Sequence, residues 1–358
     1  MWPNRRLIDL LQIEFPLVQA PMIGPVDTDM VIAVAEGGGL GSLPCAAVSV
    51  EKAREQVGII RQRVSAPLNL NFFCHTGVEP DPQREAGWRQ LLAGYFSEFG
   101  LQNDAPSNVA NRAPFGEEMC ALVEELRPEV VSFHFGLPAP ALLARVKAAG
   151  CIVMASATIV REAVWLEANG ADVIIAQGAE AGGHRGMFLT TDITTQPGLF
   201  ALLPQVVDAV KVPVIAAGGI ADGRGIAAAF ALGAAGVQLG TAFLRTPESK
   251  VSGPARAALA ESADDGTVIT NVMTGRPARG VINRVMREVG PISPDAPAFP
   301  HAAVALGPLK IAAEKLGRTD FTNLWAGQAV HLGTETPAAE LTRSLAASAL
   351  ESMRRLAG

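Results

Sequence analysis

Short runs of Val, Ile, Leu and Ala recur along the chain, and most are followed by a stretch whose apolar residues have helical spacing. The runs are Leu17–Ala20, Leu40–Leu43, Leu68–Phe73, Val130–Phe133, Ile152–Ala155, Val173–Ala176, Val214–Ala217 and Val237–Leu239. They are nearly continuous rather than alternating, as in strands buried on both faces, which implies a parallel sheet covered by helices. Between them the sequence predicts a helix over Asp27–Glu36, with Asp27 or Thr28 as N-cap and Gly37–Gly39 as its stop. Further helices are predicted over Ser49–Arg63, over Asp222–Leu232 and, near the end of the chain, over Pro337–Leu356. Eight such βα units predict a closed (β/α)8 barrel of the TIM type. The competing open, doubly wound sheet usually carries phosphate-binding glycines after its first strand. Here that position holds Pro21-Met22-Ile23-Gly24.

Two stretches break the alternation. One spans 75–114; the other spans 251–323 and is rich in Gly, Pro and Arg. Long excursions on an enzyme scaffold tend to be lids or binding loops. The chain of 358 residues fits a barrel of about 250 residues with an appendage of about 100. The expected organisation is a barrel over 1–250 with the excursion 75–114, a lid or substrate segment over 251–323, and a helical segment over 324–358 that packs back on the barrel.

Composition narrows the function. Charged residues make up 18% and apolar residues 49%, so a large core is available and disorder as the main state is excluded. The net charge is −6 with no basic run, which argues against nucleic-acid partners. The four cysteines form no C-x-x-C pair and read as buried small hydrophobes in a reducing compartment. No signal-peptide core and no apolar run of about 18 residues is present, so a cytoplasmic protein without membrane contact is expected.

Barrel chemistry gathers in the loops after the strands. Gly218-Gly219 follows the seventh predicted strand and Gly240-Thr241 the eighth, with a helix starting just beyond Gly219. Glycines at two adjacent loops leave backbone N–H groups open to an anion and point to a phosphate site. After the sixth strand, Gly182-Gly183-His184 lets the backbone approach a planar ligand while presenting a histidine, the side chain suited to proton transfer near neutral pH. Taken alone, His184 is as compatible with a structural role as with a chemical one, and His134, also at a strand end, somewhat less so. His75 borders the first excursion and reads as a solvated loop residue. Gln177 and Gln238 are polar ends of apolar strands, which need partners when buried. Glu180 and Arg185 fit a loop ion pair equally well.

Several of these segments together resemble the nitronate monooxygenases, formerly 2-nitropropane dioxygenases, and most of all their bacterial class I branch. They are Gln19–Met22, Gly37–Ser42, Asn69–His75, Val131–Gly136, Ala176–Gly186, Ala216–Ile220, Val237–Phe243, Thr274–Gly280 and Trp325–Gln328. The resemblance runs from Phe15 to Gln328. It implies non-covalent FMN held by Asn71, Gln177, Gly182, Gly183, Gly218, Gly219, Gln238, Leu239, Gly240 and Thr241, with Pro21 and Met22 along the isoalloxazine. It implies His184 as the active-site histidine with His134 nearby, no metal, and oxidative denitrification of an alkyl nitronate with O2 to a carbonyl compound and nitrite. A homodimer is compatible with this reading. Relatives that favour a carboxylated nitronate share a stretch containing Tyr and Lys. The corresponding Phe299–Pro308 here has neither, which implies a more apolar pocket or anion recognition moved to Arg276, Arg279 or Arg284. The alternatives are an FMN-dependent NAD(P)H:quinone or enoyl-thioester reductase on the same barrel, and a non-catalytic flavin-binding protein. Anaerobic bleaching of the flavin by NADH or NADPH, against bleaching by a nitronate, separates the first of these.

Overall fold

The computed structural model describes residues 1–103 and 113–357. The part of the first excursion at 104–112 lies outside the described residues. Eight parallel strands make the barrel: β1 (Leu17–Gln19), β2 (Gly41–Pro44), β3 (Leu68–Phe73), β4 (Val130–His134), β5 (Ile152–Ala157), β6 (Val173–Gln177), β8 (Val214–Ala217) and β9 (Gly236–Leu239). β7 (Gly183–His184) lies in the loop between β6 and β8. The sheet order is β1-β9-β8-β6-β5-β4-β3-β2, and a parallel bridge between Val18 and Leu40 joins its two ends. The fold is a (β/α)8 barrel, and that closure rules out the open sheet.

Three helix starts are capped by side chains, Asp27 among them as predicted. Asp27 accepts from the Asp29 N–H, Ser49 from that of Lys52, and Asp222 from those of Arg224 and Gly225. Each satisfies N–H groups that a helix start leaves without a partner. The helix Ala338–Leu356 packs against the helices Thr28–Glu36 and Gly223–Ala231.

Strand parity then decides what reaches the barrel mouth. Side chains alternate between the two faces of a strand. Val130, Met154, Val173, Ile175 and Ile215 share one cluster inside the barrel. Their neighbours Val131, Val153, Ile174, Ala176 and Val214 join the cluster beneath the helices. Two residues further along the inward series come Ser132 on β4, Ser156 on β5 and Gln177 on β6, and two beyond Ser132 comes His134. An apolar interior therefore ends in a polar rim at the C-terminal ends of the strands.

A second, antiparallel sheet lies over that rim. β10 (Thr267–Thr270) pairs with β11 (Ala278–Val281), and β11 pairs with β7. The segment that follows the last barrel strand is thus sewn directly to Gly183 and His184. It shares a second small core with the first excursion, in which Trp88 and Phe96 meet Met286, Leu309 and Phe321. Among the described residues, no helix is long and apolar enough to cross a membrane.

Candidate active site

A cavity of about 610 Å³ opens at the C-terminal ends of the strands, within the usual range of about 300–1,000 Å³ for small-molecule sites. His134, His184, Asn71, Gln177 and Gln238 line it, as do Gly182, Gly183, Gly218, Gly219, Gly240 and Thr241. Pro21 and Met22, from the loop after β1, also face it. Leu239 does not. It lies one position past the inward-facing Gln238, so strand parity turns its side chain into the core, where it is 1% exposed.

His184 is held at three points. Its main-chain carbonyl accepts from Gln177 Nε2 at 2.9 Å and pairs with His134 Nε2 at 3.1 Å. Its ring Nε2 lies 2.9 Å from the hydroxyl of the buried Thr274. Edge contacts with Phe299 (5.3 Å between centroids) and Phe73 (6.4 Å), and the tilted ring of Trp325 (5.5 Å), surround the imidazole. Gly182 and Gly183 allow this placement for different reasons. A Cβ at Gly182 would stand 2.6 Å from the Ala326 carbonyl carbon and the Gly327 nitrogen. At Gly183 there is room for a side chain, but the backbone has φ +76°, which favours glycine. The arch at Ala326–Gly327 is fastened from below as well, since the Gly327 N–H donates to Thr241 Oγ1 at 2.9 Å.

Two ionisable groups at the rim are shifted by their surroundings. Burial pulls the His134 imidazole down to about 4, against the bond to the His184 carbonyl; the positive charges of Arg276 and Arg185 add to the lowering. Burial also lowers Arg185, to about 10, which leaves it charged at neutral pH. Arg185 is fully buried and donates to the carbonyls of Gln177 (2.8 Å) and Gly178 (2.6 Å) and to Gln196 Oε1. It makes no direct ion pair with Glu180. Both Glu180 oxygens instead accept from the Leu199 N–H, at 2.8 Å, at the start of the helix Leu199–Ala209.

Other sequence expectations need correction. His75 is not solvated: it is 5% exposed, with its ring against Phe73, Phe135 and Phe299. The three arginines considered for anion recognition are committed elsewhere. Arg276 stacks on Phe135 at 3.9 Å and donates to the Met187 carbonyl. Arg279 donates to the Ala179 carbonyl, and Arg284 pairs with Glu98 and Glu288. Two lysines line the cavity: Lys250, paired with Asp27 and Asp29, and Lys310, whose Nζ is 3.9 Å from Glu314 Oε1. Ser132, Ser156 and Thr274 were not singled out in the sequence. The first two obey the rule that identified Gln177, a polar residue ending an apolar strand. Thr274 carried no such signal.

A closed barrel with a glycine-walled cavity over its strand ends, and a histidine held at the mouth, defines a barrel enzyme. The family profile described as nitronate monooxygenase matches residues 4–348. The nitronate monooxygenase of Pseudomonas aeruginosa is 41% identical over 344 residues, which is 95% of this chain and 97% of that protein. That of Paraburkholderia phytofirmans is 40% identical over 355 residues, 99% of this chain and 97% of its own. A solved nitroalkane oxidase from Streptomyces ansochromogenes superposes with a TM-score of 0.89 at 37% identity, covering 98% of this chain and 99% of its own. The chain belongs to the nitronate monooxygenase family, and it is an oxidoreductase of that family.

Proposed function

We propose that the protein is an FMN-dependent enzyme that oxidises alkyl nitronates with O2 to a carbonyl compound and nitrite. The observation that carries this reading is the cavity itself, in which the glycine loops after β8 and β9 face His184 across the barrel mouth. Three features support FMN as the group held there. Gly218 and Gly219 both have positive φ (+119° and +67°), a conformation that turns successive N–H groups toward one point. A Cβ at Gly240 would crowd Ala20 and Met22, so the backbone there is left bare toward the cavity. Gln238 Oε1 is buried with no partner among the described residues, an acceptor suited to a ring N–H.

In this reading Gly219, Gly240 and Thr241 hold the phosphate, and Asn71 and Gln238 meet the ring edge. FMN, when bound, supplies the electron chemistry. The protein's own residues do the rest. His184 presents positive potential or a hydrogen bond to the planar nitronate anion, and with a neutral nitroalkane it takes the carbon-bound proton. Phe73, Phe299 and Trp325 keep water from its ring. Residues 251–323 act as the lid over the barrel of 1–250, and residues 324–358 return to it. The unpaired cysteines support a cytoplasmic setting. The purified protein should be yellow and release about one FMN per chain on denaturation. A colourless protein, or one that releases FAD, would count against the reading.

The outer cavity leads to a prediction about substrate. Lys310 and Lys250 are the cations there, and Glu314 beside the first and Asp27 and Asp29 beside the second offset their charge. Ala303, Leu306, Phe321 and Leu324 form its apolar wall, with Thr322 and Asn323 as uncharged polar neighbours. A buried carboxylate without its own partner costs several kcal/mol, whereas each buried methylene gains about 0.8 kcal/mol. Nitronates of simple alkanes should therefore show higher kcat/KM than propionate 3-nitronate. A preference for propionate 3-nitronate that disappears in Lys310→Met would assign the lysine to the carboxylate and overturn this expectation.

A further inference from the structure

The bonds at the barrel rim fix which nitrogen of His134 carries hydrogen. A carbonyl oxygen only accepts. The His184 carbonyl therefore takes one hydrogen bond from Gln177 Nε2 and one from His134 Nε2, which must bear a proton. The other ring nitrogen, Nδ1, lies 3.1 Å from the Ser156 hydroxyl. In a neutral imidazole with hydrogen on Nε2, Nδ1 is an acceptor, and Ser156 donates to it. Arg185 and Arg276, the charged groups whose fields reach this ring, are cations that oppose a second proton. The pair has no room to rearrange. A Cβ at Gly186 would sit 2.9 Å from His134 Cε1 and 3.0 Å from Ser156 Cβ, so the main chain after His184 packs directly on both. Gln177 completes the clamp, accepting from the Gly186 N–H at 2.7 Å.

We infer that Ser156 and His134 are positioning residues. The His184 carbonyl fixes His134 as the neutral Nε2–H tautomer, Ser156 holds the ring by donating to Nδ1, and His134 in turn fixes the main chain that presents His184, without itself transferring a proton. β4, β5 and β6 thereby each supply one inward side chain to a single relay that aims the next loop. Outer residues that orient a reactive one commonly alter rate by one or two orders of magnitude. The inference rests on His184 being the reactive histidine, as proposed above.

Two variants at one position separate aiming from proton transfer. His134→Gln can still place an N–H near the former Nε2, but it cannot shuttle a proton; His134→Leu offers neither. With FMN content unchanged, we expect His134→Gln to stay within about threefold of the parent kcat. His134→Leu and Ser156→Ala should each lose about tenfold in kcat with KM nearly constant. In the 15N-histidine-labelled holoenzyme, His134 should show a protonated Nε2 and a bare Nδ1 from about pH 6 to 9. Loss of Ser156 should leave hydrogen on Nε2 and shift the Nδ1 signal, which loses its donor. The inference is overturned if His134→Gln is as impaired as His134→Leu, if neither variant differs from the parent, or if the spectrum shows Nδ1–H or an imidazolium. The spectrum needs neither variant nor substrate, so it decides even if His134→Leu fails to fold. The expected tautomer in a holoenzyme that turns over no nitronate would support the relay and sink only the nitronate reading.

Discussion

His184→Asn should lower turnover of alkyl nitronates by about a hundredfold or more while the protein stays yellow. Positioned acid–base groups contribute about 10²–10⁴-fold, and in this site the ring is the group that differs between the two side chains. The cofactor should be retained, because the residues proposed to hold it are Gly219, Gln238, Gly240 and Thr241, which the substitution does not touch. Asparagine keeps a polar side chain of modest size but cannot take a proton at neutral pH. Its shorter reach also gives up the 2.9 Å bond between His184 Nε2 and Thr274. The measurement is nitrite release under steady state, run both with preformed nitronate and with the neutral nitroalkane. Loss confined to the nitroalkane would make His184 a base for the carbon-bound proton and nothing more. Loss with both would mean that it also stabilises the anion. Unchanged activity with both would remove the histidine from the mechanism.

The barrel was legible in the sequence because two-sided burial leaves continuous Val/Ile/Leu runs, and because Asp27, Ser49 and Asp222 are strong N-caps. Much of the site was legible for a related reason. Gln177 and Gln238 interrupt apolar strands at their C-terminal ends, and Gly182–Gly183 and Gly218–Gly219 stand where a barrel does its chemistry. Ser132 and Ser156 obey the same logic, but a serine in a strand is so ordinary that only the inward parity of Val130 and Met154 singles it out. Leu239 differs: its side chain turns into the core, an orientation that the contiguous motif from Gln238 to Thr241 does not announce. The rest depended on contacts distant in sequence. His75 is buried because Phe299 folds over it, and a two-residue strand at Gly183–His184 leaves no hydropathy pattern to announce its pairing with Ala278 and Arg279. Likewise, nothing local tells Arg276, which stacks on Phe135, from Lys310, which faces the cavity.

Glu162→Ala should destabilise the protein more than most single substitutions outside the cavity. Glu162 is fully buried on the helix Val160–Ala168. One carboxylate oxygen accepts from the Thr158 N–H (2.7 Å) and hydroxyl (2.8 Å), and the other from the N–H groups of Phe188 (2.6 Å) and Leu189 (3.0 Å). It therefore ties the loop after β5 to the tail of the segment that carries His184. Alanine would strand four donors, and water admitted to the space would restore only some of them. Each buried donor left unpaired costs about 1–3 kcal/mol, so two of them amount to about 2–6 kcal/mol. With an unfolding entropy near 2.1 cal/mol/K per residue, a chain of 358 residues should lose about 3–8 °C in thermal midpoint. Glu162→Gln should fall between parent and alanine, because its oxygen still accepts while its amide nitrogen faces two donors. Scanning calorimetry of the cofactor-loaded proteins would read both shifts. An alanine variant within a degree or so of the parent would show that the segment after His184 is held by its pairing with β11 and the bonds of Arg185, and not by this carboxylate.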